Sequence, residues 1–233
     1  MSGFQLYATV ILIAAAALCP VHYVLLGRRQ KHPGRGLKAV RRYNLWERLV
    51  HLALLTSFLV LAGTGFYASI GWGGPMHGYL LMIHTTFGAV FAVSVGFMLL
   101  TWAADHAFAR ADAQWMCRGG CLSKADDLPA ARFDAGQKLY FWFAGLATLV
   151  ALLSMLLSMI SLFGTAGQTL MYTVHRWSTL TLLVGTIWHA YATVLAKPGT
   201  LGALVSGYVS AAWADRFHPL WGKSAAQEPP GRP

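Results

Sequence analysis

The chain has 233 residues, of which 56% are hydrophobic and 11% charged, against roughly 25% charged in a soluble domain. Its net charge of +10 sits in basic residues that fall between apolar stretches, where membrane topology accounts for them without a nucleic-acid partner. The stretch from Leu49 to Ala104 holds no Lys, Arg, Asp or Glu, which excludes a water-facing surface there and marks an integral membrane protein.

Five apolar spans are expected in chain order, at about 4–27, 45–70, 78–103, 137–163 and 169–196. Each is long enough for the ~20 residues that a bilayer core demands. The fold class expected is an all-α integral membrane protein, with a four-helix transmembrane bundle and one extra N-terminal transmembrane helix. A Gly- and Pro-containing basic linker, Arg28 to Arg42, separates that first span from the rest. The first span has no basic segment before it, so it reads as a retained helix and not a cleaved leader. The expected domains are 1–40 (first helix and linker), 41–222 (the bundle) and 223–233 (a short tail).

Every Lys and Arg except Arg176 falls on one side if the five helices alternate. Positive-inside bias then puts the N-terminus outside and the C-terminus inside, in the periplasm and cytoplasm of a bacterial inner membrane. The outer loops, Gly71–His77 and Gly164–Gln168, are expected to be short and uncharged.

Four of the nine histidines lie inside the last four spans: His51, His84, His175 and His189. Ionisable residues within a span are costly and mark function. Their positions sort them by depth. His51 lies early in an inside-to-outside span and His189 late in an outside-to-inside span, so both are near the inner face. His84 and His175 lie early in outside-to-inside spans, so both are near the outer face. His175 and His189 are 14 residues apart, four turns along one helix, which puts them on nearly one face and roughly 20 Å apart. Two facing histidines without neighbouring Cys, Asp or Glu suit a bis-imidazole haem better than a four-ligand zinc site. Two haems b are therefore expected, on His84 with His175 and on His51 with His189. Gly88 and Gly185, each four residues from a ligand, either give a porphyrin room against the backbone or let neighbouring helices pack closely.

Other candidates are weaker. His22 sits in the extra span. Cys117 and Cys121 lack the second pair of a zinc or iron–sulfur site. Arg41, Arg42 and Arg48 are placed to meet inner propionates, though topology alone would also put them there, and Arg176 to meet an outer propionate or a partner subunit. Asp134, just before the fourth span, reads as a helix-start residue or as a proton relay at the membrane edge.

Longer motifs carry a resemblance. Trp46-Glu47-Arg48-Leu49-Val50-His51, His84-Thr85-Thr86-Phe87-Gly88, Phe133-Asp134-Ala135-Gly136-Gln137-Lys138, and the tail strings Gly199-Thr200-Leu201-Gly202-Ala203-Leu204 and His218-Pro219-Leu220-Trp221 resemble the formate dehydrogenase gamma subunit, cytochrome b556, over about residues 41–222. The chain departs from that pattern at Leu52, Thr179 and Asp134, where Trp, Gly and Asn are usual.

The resemblance implies a di-haem electron-transfer subunit that anchors an iron–sulfur (beta) subunit and a molybdenum- or tungsten-containing catalytic (alpha) subunit. It implies the same two haem pairs, and a quinone (menaquinone or ubiquinone) reduced near the inner haem beside Asp134, Gln137, Lys138 and His189. Formate oxidation itself would lie on another subunit. Two other readings stay open from the residues: the cytochrome b subunit of a nickel–iron hydrogenase or sulfur-compound oxidoreductase, and a haem-free transporter or membrane anchor.

Overall fold

The computed structural model describes residues 3–26, 39–123 and 128–225. Most of the basic linker, with Arg28 to Lys38, and most of the tail expected at 223–233 lie outside the described residues.

Among the described residues, five helices are long and apolar enough to cross a membrane. They are α1 (Gly3–Leu25), α2 (Leu45–Phe66, continued by a π-helical turn Tyr67–Trp72), α3 (Gly78–Trp102), α5 (Ala135–Met159) and α6 (Gly164–Tyr191, continued by a π-helical turn Ala192–Ala196). The expected spans are borne out within a few residues, with one correction. Residues 164–168, expected as an outer loop, are the first turn of α6, and the connection shrinks to the 3₁₀ turn Ser161–Phe163. Just beyond that turn the Thr169 hydroxyl donates a hydrogen bond to the Thr165 carbonyl at 2.9 Å, so it is satisfied within the helix. Thr56, Thr64, Thr85, Ser94 and Thr173 do the same to carbonyls four residues back, which satisfies hydroxyls that a bilayer could not. Apolar side chains such as Leu100 remain open on the outside of the helices, at 84% exposure, as lipid contact requires.

Shorter elements complete the chain: β1 (Ala39–Arg41), α4 (Arg110–Cys117), α7 (Thr200–Ser206), β2 (Tyr208–Ser210), α8 (Ala211–Phe217) and α9 (Pro219–Ala225). β1 and β2 form an antiparallel ribbon in the register Ala39↔Ser210, Val40↔Val209, Arg41↔Tyr208. This ribbon is an addition to the all-helical expectation. Three-residue strands carry no usable alternation, so nothing in the sequence announced them.

Contacts divide the chain into two compact units. Of the described residues, the first holds those within 1–18, 50–100 and 142–188, and the second those within 19–49, 101–141 and 189–233. In the first, α1 is tied to its neighbours by Gln5 Nε2 donating to the Ile70 carbonyl (3.2 Å) and by the Phe4 ring, which meets Trp177 edge-on and lies 3.8 Å under the Arg176 guanidinium.

In the second unit helix starts are written in side chains. Asn44 and Glu47 cap α2 reciprocally, each side chain accepting the other's backbone N–H at 2.8 Å. Asp134 and Gln137 do the same for α5 at 2.9 and 3.1 Å. Ser210 accepts from the Trp213 N–H to start α8. α7 ends at Gly207, which has φ of +88° and whose Cβ, if present, would stand 2.7 Å from the Tyr43 carbonyl. Gly207→Ala should therefore lower the unfolding midpoint in detergent, by roughly 1–2 kcal/mol for the left-handed backbone alone.

Candidate functional site

His84 on α3 and His175 on α6 are brought together in the first unit. Their ring centroids are 6.5 Å apart and their planes 77° apart, and both side chains are half-buried. The Nδ1 atom of each ring is held. His175 Nδ1 lies 2.8 Å from the Ala151 carbonyl on α5. A carbonyl only accepts, so Nδ1 carries the proton and Nε2 the lone pair. His84 Nδ1 lies 2.8 Å from Thr64 Oγ1 on α2. Thr64 has spent its own proton on the Val60 carbonyl at 2.7 Å, so here too Nδ1 donates and Nε2 is left as the ligand nitrogen.

His51 on α2 is half-buried in the first unit, and its Nδ1 is buried with no hydrogen-bond partner. His189 on α6 belongs to the second unit, where the Tyr140 ring stacks on it at 4.3 Å and 12°. The two glycines expected to make room differ. A Cβ at Gly88 would meet nothing within 4 Å, whereas one at Gly185 would stand 2.6 Å from Phe143 Cε1. At Gly185 the room is taken by a phenylalanine ring, so close helix packing accounts for that residue.

The second unit also holds a buried polar cluster. Asp134, 2% exposed, pairs with Lys197 as well as capping α5. Burial on its own pushes this carboxyl up, but the Lys197 charge, the nearby His218 and the hydrogen bonds from Lys197 and the Gln137 N–H outweigh it and hold it at about 2. Lys138 is buried against the Asp112 carboxylate (2.8 Å) and the Ala107 carbonyl (2.9 Å). Arg132 bridges Glu47 and Asp105, both at 2.6 Å, and Glu47 also accepts from Trp102 Nε1.

Arg42, 2% exposed, lies among the rings of Tyr43, Phe133, Trp213 and Trp221, with its guanidinium carbon 4.7 Å over Trp213. Cation–π attraction takes the place of hydrogen bonds there, since all three side-chain nitrogens are buried without one. Arg48 donates to the carbonyls of Leu204 and Val205. His218 is fully buried, with Nδ1 on the Ala131 carbonyl, and burial first and Arg42 next push it well below the usual imidazole value. His106 lies between the Phe133 and Phe141 rings, and burial above all pushes it down to about 4. His22 accounts for itself structurally: Nε2 donates to the Cys121 carbonyl (2.9 Å), so Nδ1 accepts from the Tyr191 hydroxyl (2.6 Å). Cys117 and Cys121 are exposed free thiols.

Comparison with known families decides what kind of membrane protein carries this arrangement. The profile of the prokaryotic cytochrome b561 family matches residues 42–207. The chain belongs to that family. It is 28% identical over 193 residues to the formate dehydrogenase cytochrome b556(fdo) subunit of Escherichia coli strain K12, covering 77% of this chain and 90% of that one. It is 24% identical over 199 residues to the nitrate-inducible formate dehydrogenase cytochrome b556(Fdn) subunit of the same strain, covering 79% and 90%. A formate dehydrogenase cytochrome b556 subunit of Haemophilus influenzae is 25% identical, with 77% and 81% covered. The chain is thus a multi-pass membrane cytochrome b561-family subunit of an oxidoreductase-type complex, and the family implies haem b.

The residues of this cytochrome fit such a group. Metal–imidazole bonds of ~2.0–2.1 Å put the centroids of two opposed rings roughly 6.3 Å apart, and the observed separation is 6.5 Å. Among the described residues no cluster of three or more His, Cys, Asp or Glu offers a competing metal site. The partners of the ligand candidates, Thr64 and the Ala151 carbonyl, were not found from the sequence. A backbone carbonyl leaves no signature there, and a threonine twenty residues from a histidine looks like any other helix hydroxyl. Lys197 as the partner of Asp134 was missed for a similar reason, being 63 residues distant.

Proposed function

We propose that the chain is the membrane cytochrome b subunit of a respiratory formate dehydrogenase complex, carrying electrons from an iron–sulfur subunit through two haems b to membrane quinone near the cytoplasmic face. The observation that carries the reading is the His84 and His175 pair, half-buried, with Nδ1 of both rings engaged and Nε2 of both left to bind iron. The formate dehydrogenase assignment is supported by the names of the relatives and by their coverage of most of this chain.

Bound haem b supplies reversible one-electron transfer at its iron. The protein holds the rings. His84 and His175 would grip one haem, with Thr64 and Ala151 fixing their tautomers. His51 and His189 would grip the second, a pairing supported by their matched depth along the sequence. The quinone contact is proposed at Asp134, Gln137, Lys138 and His189. In that segment Asp134 and Gln137 are occupied in capping and Lys138 in an ion pair. A carboxyl held at about 2 stays ionised at neutral pH, so the proton-relay role is not carried into the proposal. Residues 41–222 would form the di-haem domain, with the N-terminus periplasmic and the molybdenum- or tungsten-containing subunit attached through the iron–sulfur subunit.

The purified full chain should show a b-type α band in its reduced-minus-oxidised spectrum and two haems per chain as the pyridine haemochrome. Co-expressed with its partner subunits, it should be reduced by formate and reoxidised by a quinone. A chain without the α band overturns the haem reading. An α band that does not respond to formate in the assembled complex overturns the formate assignment alone.

A further inference from the structure

We infer that Thr64 is the residue that sets the donor strength and orientation of His84, and through it the reduction potential of the haem held between His84 and His175; this rests on the ligand assignment proposed above. The two rings of the pair are supported by different chemistry. His175 donates to the Ala151 carbonyl, a backbone group that also accepts from Ser154 Oγ at 3.1 Å and that no side-chain replacement removes. His84 donates to a side-chain hydroxyl, and that hydroxyl is locked. Its proton is committed to the Val60 carbonyl one helical turn back at 2.7 Å, so its oxygen can only accept from the imidazole.

The next residue completes the seat. A Cβ at Gly65 would stand 3.2 Å from His84 Cε1 and 3.8 Å from Nδ1, so the ring lies close against the α2 backbone. Thr64 and Gly65 together fix both the azimuth and the tilt of His84. The hydrogen bond raises the electron density on Nε2, which favours ferric over ferrous iron and lowers the potential. Sequence places Thr64 in the string Gly63-Thr64-Gly65 late in α2, a motif that packing alone does not require to carry a hydroxyl.

The test uses the full chain in membranes, with Thr64→Val, which keeps the shape and loses the acceptor, and Thr64→Ser, which restores it. Haem content is measured first, then potentiometric titration of each haem and the ferric EPR signal, which depends on the angle between the ligand planes. Thr64→Val should keep both haems and change the ratio of reduced to oxidised iron at one of them by roughly tenfold at fixed ambient potential, an upward move of ~59 mV for one electron. Its EPR signal should shift with it, and Thr64→Ser should restore both. Loss of one haem in Thr64→Val with recovery in Thr64→Ser also supports the role. If Thr64→Val yields no haem protein, Thr64→Ala removes the same hydroxyl and is read in the same way. Unchanged potentials and EPR, or equal shifts in Val and Ser variants, overturn the inference. Failure of the underlying reading looks different: His84→Ala would then retain both haems.

Discussion

Replacing His175 by Ala should produce a chain with one haem b in place of two and should stop electrons from the partner reaching quinone. The physical reason is that the His84 and His175 pair has no spare donor. Its two rings stand 6.5 Å apart with Nδ1 of each already committed, and no cluster of three or more metal-binding side chains lies among the described residues to take over. A single neutral imidazole would be left to hold the iron. The α band of the remaining haem, its midpoint and the formate-driven reduction rate of the assembled complex are the measurements. Added imidazole should restore part of the missing band, because the Ala151 carbonyl that oriented the lost ring is still in place. Full haem content in His175→Ala would remove His175 from the ligand set and with it the proposed route.

The features legible in the sequence were those that the bilayer imposes. Lipid offers no partner for backbone N–H and C=O groups, so apolar runs near 20 residues must be helices, and all five appear close to their expected bounds. The matched depths of His84 and His175 were legible for the same reason, since alternating spans convert sequence position into height. Interior detail was not. Asp134 and Lys197 meet across 63 residues, and the capping pair Asp134 and Gln137 suits a helix start anywhere. Gly185 shows the limit most directly: its spacing from His189 fits a porphyrin face, yet the Phe143 ring occupies that surface. Small residues on a helix announce close approach without saying by what. Arg42 gives the converse case. Topology offered it to a propionate, but three of its four aromatic neighbours come from segments distant in the chain, residues 133, 213 and 221, which no local pattern could join.

Replacing Lys197 by Met should cost roughly 3–5 kcal/mol, the loss seen when one member of a buried ion pair is left alone, and should also invert the acid limb of the stability profile. Asp134 is 2% exposed, and its carboxyl is held at about 2 against an ordinary 3.8. A depressed folded value contributes stability that is present above the unfolded value and lost as pH falls through the folded one. In the native chain this amounts to roughly 2 kcal/mol, present above about pH 4 and fading towards pH 2. Without Lys197 the largest influence left on Asp134 is burial, which raises its value. The sign then reverses: stability should rise as the pH drops from 7 towards 4, because the folded state holds the proton more tightly than the unfolded chain. Adding Asp134→Asn to Lys197→Met should recover most of the loss, since Asn removes the charge and still caps α5. Thermal midpoints in detergent between pH 2 and 8 measure all three proteins. A Lys197→Met midpoint that matches the native chain, or that falls on acidification in the same way, would mean that the pair does not hold the start of α5.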